Sequence, residues 1–576
     1  MLKSMKLMLA LMFLSVSIYA QTARLQVIHN AADPAAASVD IYVNGNIFLN
    51  DFAFRTATSF RDVPAGVTLN IGVAPGNSSS VADTLKNFAV TLEANNKYVA
   101  IANGVLNPSQ FGANPGSAST GFTLFVKAAA REAANAPGSV DFFVLHGSTD
   151  APAVDVIARN VATLVNDAPY SAITDYISVP AGSYILDVTP AADNNTIVAS
   201  FRADLSGLGG GAAAVFASGF LNPSVNQNGP AFGIFAALPN GTVVPFAQLT
   251  TARLQVIHNA ADPAAASVDV YLNGEILLNN FAFRTATAFI DAPANRIINV
   301  GVAGGTSASA ADTLKNFQLK LLPGGTYVAI ANGVLNTSTF ASNPSGRATA
   351  FTLFINALAR ETAESATSNV DFYILHGSTD APAVDIAARG VTTLVTGAAY
   401  GDQTSYISVP AANYTLDIFP AGSSTPLIAY NAPLSGLAGG AAVVFASGFL
   451  TPSSNQNGAG FGVFAALPNG QVIGFDQTTS VENEVSVSPA NFSLGQNYPN
   501  PFNPSTTINF SVTRDEFVSL KVFNIAGEEV ASLVNEVVSA GSYKVDFNAA
   551  SLTSGVYFYR LTAGNFVETK KMNLLK

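Results

Sequence analysis

The phrase TARLQVIHNAADPAAASVD stands at residues 22–40 and again, unchanged, at 251–269. VDFFVLHGSTDAPAVDV at 140–156 returns as VDFYILHGSTDAPAVDI at 370–386. HNAAD and HGSTD, each followed by a later Val-Asp, are two forms of one opening phrase, so the repeat is fourfold. The endings agree as well: YVAIANGVLNP at 98–108, AVFASGFLNP at 214–223, YVAIANGVLNT at 327–337 and VVFASGFLTP at 443–452. The histidines His29, His146, His258 and His376 are spaced by 117, 112 and 118 residues. That period is far longer than the 20–50 residues, roughly, of solenoids and propeller blades, and long enough for each unit to own a core.

Within a unit the dominant signal is alternation of period two, as in RLQVIH, SVDIYVNG and VTLNIGVAPG, punctuated by Gly, Pro and Asn turns. About seven short strands in roughly 115 residues is the pattern of a β-sandwich. The expected fold is therefore all-β, with four tandem antiparallel, Ig-like sandwich modules at 21–135, 136–249, 250–365 and 366–476. KAAAREAA at 127–134 and NALARETAE at 356–364 are the best helix candidates, as connectors at module junctions. Linkers between modules are short and lack Ser/Gly or Pro tracts, which implies close stacking. The polar stretch 477–496 is the one extended linker, and 497–576 is expected to be a smaller Ig-like sandwich.

Composition narrows the function. Of the 576 residues, 49% are hydrophobic and only 11% charged, as expected of a packed chain and not a disordered one. A net charge of −11 repels polyanions and disfavours nucleic-acid binding. No cysteine is present, which removes disulfides, thiolate metal sites and a Cys nucleophile. Residues 1–20 place Lys3 and Lys6 before an apolar run from Leu7 to Leu14 and a small-residue end at Ala20, the three regions of a secretory signal peptide. No later apolar run reaches the ~20 residues of a spanning helix, so the chain is not expected to span a membrane by a helix.

At the other end, NYPNPFNPSTTI at 497–508, the NIAGEEV turn, LTSGVYFYRL at 552–561 and the closing lysines resemble the type A C-terminal sorting domain of the type IX secretion system. The resemblance marks Tyr498, Pro499, Asn500, Pro501, Phe502, Pro504, Gly555, Tyr557, Lys570 and Lys571 as sorting-signal candidates. It implies a Gram-negative bacterium of the Bacteroidota or a close neighbour, the type IX machinery as partner, and a destination on the outer surface or outside the cell. The repeats resemble the bacterial domain of unknown function numbered 4397, over roughly 22–476. That resemblance implies exported, repeated modules and supplies no activity.

All four histidines occupy one equivalent position. Each has an Asp four residues on (Asp33, Asp150, Asp262, Asp380) and a second one later (Asp40, Asp155, Asp269, Asp385). One imidazole and two carboxylates suit a divalent cation, and hence a metal-dependent hydrolase. Alternation, however, puts His29 on the strand face of Leu25 and Val27, and His146 on that of Val140, Phe142 and Val144. A core histidine bonded to the Asp of the Asp33-Pro34 turn accounts for the same spacing, and a latch must recur in every copy where an active site need not. No HExxH, GxSxG, Walker or EF-hand motif occurs. Gly207 to Gly211 reads as a turn, not a dinucleotide loop. No cofactor and no catalytic residue is expected. The Asn-, Ser-, Gly- and Gln-rich loops 107–120, 222–230, 336–348 and 451–460 are the expected contact surfaces. The chain reads as a non-enzymatic adhesive or structural protein binding a surface, matrix or glycan partner; glycan binding or degradation is the alternative.

Overall fold

A computed structural model describes residues 21–478, 482–484 and 491–576. The expected signal peptide and linker positions 479–481 and 485–490 lie outside them. The chain divides into two compact units, Met1–Thr251 and Ala252–Lys576. Among the described residues the only helices are 3-10 turns of three residues, so the architecture is all-β.

In the first unit, four sheets lie in layers. The outer sheet of the first repeat runs Asn46–Ala53, Ser38–Val43, Thr68–Pro75, Lys86–Thr91. Its inner sheet centres on Thr22–His29, paired in parallel with Lys97–Asn103, which pairs antiparallel with Thr123–Ala128. The parallel pair arises because the whole outer sheet is the crossover between its two strands, and such a pairing needs a long crossover. The second repeat copies this with Ser139–Leu145 parallel to Ala212–Ser218, then Gly233–Ala237 and Val243–Pro245. Its outer sheet is Ala162–Ala168, Val154–Ala158, Ser183–Pro190, Ala199–Asp204 and Ala247–Leu249.

Each repeat has the core expected of a sandwich: Leu25, Val27, Ala100 and Ala102 meet Val39, Ile41, Leu69 and Val73, while Val140, Phe142, Ala213 and Val215 meet Leu186, Val188 and Phe201. The alternate residues of the same inner strands form a third core. Ile28, Val99 and Ile101 from one repeat pack on Phe143, Leu145, Ala214 and Phe216 from the next. The two inner sheets are thus buried on both faces, which is why YVAIANG and AAAVFAS carry no alternating polar position. Two repeats share one continuous four-layer block.

The second unit contains the same block. Thr251–His258 lies parallel to Thr326–Asn332, and Asn369–Leu375 parallel to Ala441–Ser447. Ile257, Val328 and Ile330 pack on Tyr373, Leu375, Val443 and Phe445 between them. The tail adds a sandwich of two four-stranded antiparallel sheets, with strands from Glu482–Glu484 to Phe566–Leu574. Its separate core holds Phe502, Phe510, Tyr559, Leu561 and Met572.

The expected connector helices are absent. Thr123–Ala128 continues as bent, irregular chain, with Ala129 at φ of 51°, in which Arg131 reaches Asp141 at 2.6 Å and Glu132 reaches Arg24 at 2.7 Å and Lys97 at 3.1 Å. Residues 356–364 do the same, with Arg360 on Asp371 at 2.6 Å and Glu361 on Arg253 at 2.7 Å. An eight-residue helix gains too few internal hydrogen bonds to outweigh nucleation; anchoring both charges to neighbouring strands wins.

Phe216→Ala is expected to cost about 3–5 kcal/mol, seen as a lower denaturant midpoint of the first unit. Ile47→Ala, at a position 51% exposed, is the control. Equal effects of the two substitutions would show that no buried layer joins the repeats.

Candidate functional site

His29 and His258 end the first inner strand of their repeats, His146 and His376 directly follow it, and each faces the sandwich core, as the alternation implied. His29 is fully buried. Its Nε2–H donates to the Ala36 carbonyl at 2.8 Å, and its Nδ1 accepts from the Ala31 amide at 3.4 Å. His258 repeats this with Ala265 and Ala260, while His146 and His376 donate to the Pro152 and Pro382 carbonyls at 2.9 and 3.0 Å. The expected His–Asp hydrogen bond is not formed. A backbone carbonyl takes its place because each Asp is drawn to amides elsewhere.

Asp33 caps the 3-10 turn Pro34–Ala36 through the Ala35 amide at 2.9 Å and accepts from the Leu106 amide at 2.8 Å. Asp150 accepts from the Leu221 and Asn222 amides, both at 2.8 Å. Asp262 and Asp380 do likewise with Leu335 and Leu450. This carboxylate ties the opening phrase of every repeat to the Gly-x-Leu of its ending, which explains why the two phrases travel together.

The second Asp holds a bulge. Asp40 accepts from the amide of Asp51, which has φ of 50°, beside register shifts in the outer hairpin. Asp155, Asp269 and Asp385 hold Asp167, Asn280 and Gly397, all at positive φ. An extra residue in one strand calls for such a left-handed position. The Gly422 and Gly397 amides keep the Asp385 carboxyl below the ordinary carboxylate range. Asp40 alternates with Val39 and Ile41, which face the core, so it lies on the far side of the outer sheet from His29. The imidazole and the two carboxylates do not converge, and no group of three or more such side chains among the described residues could hold a metal ion.

The loops expected as contact surfaces come together in pairs. The Gly112 amide donates to Asn226 Oδ1 at 2.9 Å, and Phe111 stacks on Phe220 with centroids 5.6 Å apart. Asn114 Nδ2 donates to the carbonyls of Thr149 and Ala151. Asn226 is fully buried and also donates to Asp150 at 2.8 Å, so one amide links both loops and the opening phrase. Ala341, Asn455, Phe340 and Phe449 repeat the junction in the second unit. Each block therefore presents one composite platform, in which Asn107, Ser109, Gln110, Asn222, Gln227 and Asn228 are exposed. Loops 107–120 and 222–230 contain no charged residue. Gln227 and Asn228 are consecutive left-handed residues at φ of 55° and 52°, a conformation unusual for side chains other than glycine.

Residues that the sequence did not single out hold this geometry. Arg55 crosses to the next repeat, where Nε donates to Ser218 Oγ at 3.0 Å and Nη2 to the Ala231 carbonyl at 2.7 Å, over the Phe235 ring. Asn30 donates to Asn103 Oδ1 and to the Ala217 carbonyl, and Asn103 to the Gly147 carbonyl. A Cβ on Gly147 would lie 2.4 Å from Asn30 Nδ2. The HN and HG forms of the opening phrase are thus the two sides of one contact. The glycine run 207–211 forms the expected turn, closed by the Gly211 amide on the Leu208 carbonyl at 2.9 Å.

In the tail, the 497–504 phrase is fastened to the last strand. Phe502 is buried; its amide donates to Asn573 and its carbonyl accepts from Leu575, both at 3.0 Å. Asn500 Oδ1 accepts from the Asn573 amide at 2.9 Å, and the Pro504 carbonyl accepts from the Ala549 amide at 2.9 Å. The Tyr498-Pro499 and Asn500-Pro501 bonds are cis. Tyr498 is 81% exposed, whereas Tyr557 is buried with its hydroxyl on the Thr553 carbonyl. Gly555 opens the strand Gly555–Ala563, Lys570 lies 3.5 Å from Glu568, and Lys571 is exposed. Asn497, buried and bonded to Thr506 and Tyr559, had not been singled out.

Comparison with known families fits these two parts. A model of a domain of unknown function (DUF4397) matches residues 23–117, 141–226 and 370–454, and a secretion system C-terminal sorting domain matches 496–574. The chain carries three such copies and a sorting tail. A search of curated proteins finds no match. Among solved structures, PorZ, a surface component of the type IX secretion system of Porphyromonas gingivalis, aligns at 11% identity over 96% of this chain and 70% of its own, with a TM-score of 0.14. The N-terminal eight Ig domains of a Down syndrome cell adhesion molecule align at 9% identity over 97% and 85%, with a TM-score of 0.11. Neither likeness bears on fold or function at those scores. No helix among the described residues is long and apolar enough to cross a membrane.

Burial pushes His29 and His258 down to about 4, against the opposing pull of the Ala36 and Ala265 carbonyls, and lowers His146 and His376 as well. A ring held neutral contributes stability that is complete above the unfolded value of about 6.5 and is lost as pH falls towards the folded value. The denaturant midpoint should therefore drop between pH 7 and pH 4.5, roughly, and drop less in His29→Gln. An identical pH profile in that variant would disprove the role of the ring. Gly147→Ala should lower the first unit's stability by about 1–3 kcal/mol, measured by the same titration at pH 7, roughly.

Proposed function

We propose that the protein is an exported, non-catalytic display protein: four repeats, at 21–135, 136–249, 250–365 and 366–476, work as two blocks, and the tail at 497–576 delivers them by the type IX route to the outer surface or the medium. The observation that carries the binding reading is the joining of loops 107–120 and 222–230 through Asn226 and the Phe111–Phe220 stack. A surface loop held by buried hydrogen bonds is ordered before any partner arrives, so little conformational entropy is lost on contact. Two like platforms on one chain then raise avidity without tight single-site affinity.

The platform of the first unit offers amides, hydroxyls and a part-exposed ring, and its loops carry no charge. This chemistry favours a neutral polysaccharide over a polyanion. The mature protein is expected to bind neutral glycans on a polysaccharide array, with or without EDTA. Gln110→Ala with Gln227→Ala should weaken that binding by an order of magnitude or more at unchanged melting temperature, as loss of one of two linked sites does. Binding only to anionic polymers, or binding abolished by EDTA, would contradict it. Deletion of 497–576 is expected to leave the passenger in the periplasm, and undiminished secretion would refute the sorting role.

A further inference from the structure

We propose that the core of residues 139–249 is a binding site for one small uncharged hydrophobe of about the size of benzene. Between the two sheets of this repeat the side chains leave a cavity of about 100 Å³. Protein interiors are packed to crystal density and keep few voids larger than a water molecule. A void without atoms on one side forfeits the contacts its lining would otherwise make. Apolar chambers of this order stay dry and take up benzene or xenon when offered.

The walls include Val144, Val156, Val165 and Val188, with His146 and Leu221 at one end. Leu221 is also 43% exposed, so this wall residue faces both chamber and solvent. Its amide is held by Asp150, so entry of a ligand there asks only its side chain to turn aside.

The corresponding chamber in the fourth repeat measures about 50 Å³. The strand registers identify the difference. Val144 lies opposite Val215 as Ile374 lies opposite Val444, and Val156 opposite Val188 as Ile386 opposite Ile418. Val198 and Leu427 match through their amide bonds to the carbonyls of Val188 and Ile418. At each of these four places the fourth repeat inserts one more methylene into the same space, against one change the other way, Ile234 to Val463. The fold accepts the filling; the second repeat leaves it out. The chamber of the first repeat, about 140 Å³, has a carboxylate, Asp62, in its lining, whereas burial keeps His146 of the second repeat neutral, so the second suits an uncharged ligand better.

The test uses the full mature chain and the triple variant Val144→Ile, Val156→Ile, Val188→Ile, whose isoleucines the fourth repeat already accommodates. Thermal unfolding is followed with and without benzene, and bound xenon by NMR. Benzene is expected to raise the melting temperature of the first unit and xenon to show a bound resonance; both should vanish in the triple variant, which should melt no lower than the parent. The proposal is overturned if the parent shows neither effect, or if the variant retains them and so places binding elsewhere. A lower-melting variant equally overturns it, because the three valines then already fill the space.

Discussion

The apolar layer built by Ile28, Ile101, Phe143, Leu145 and Phe216 between two repeats is the contact on which the rest depends. Burying both faces of an inner sheet removes far more apolar surface from water than two sandwiches side by side, at roughly 25 cal/mol per Å². It also fixes where each repeat stands against its neighbour, which brings loop 107–120 against loop 222–230 and lets Arg55 reach Ser218.

Polar groups complete what the apolar layer starts. Strand ends and loop amides near a buried seam cannot turn to water, so each needs a partner within the protein. Asp33 and Asp150 supply acceptors for the ending of their own repeats, while across the seam Asn30 and Asn103 supply donors and Asn226 an acceptor for the Gly112 amide. The histidine closes its turn on a carbonyl from inside. These bonds use side chains that would otherwise suggest chemistry, and they distribute His29 and Asp40 to opposite sides of a sheet.

Strand alternation in RLQVIH and VDFFVLH was enough to place His29 and His146 on the core face, and NYPNPFNP with the closing lysines was enough to mark the sorting tail. The parallel pairing was not legible, because period two is the same in either direction. The shared layer had a signal that was easy to pass over: YVAIANG and AAAVFAS lack the polar alternate of SVDIYVNG. The partner of His29 was missed because spacing favours the nearest carboxylate, while Asp33 is claimed by the Leu106 amide, 73 residues away. Arg55 was missed although FAFRTAT at 52–58 returns at 281–287 with Arg284, because the recurrence names no partner, and its meaning lies in the carbonyls across the seam.

The fit of Asn30 against Gly147 makes the pairing of repeats directional. One side contributes a bulky amide and the other an empty place for it, so neither side can dimerise with its own kind. Repeats of this kind therefore cover one another's inner sheets only as unlike pairs. A repeat left without its partner would expose in water the face carrying Ile28, Val99 and Ile101.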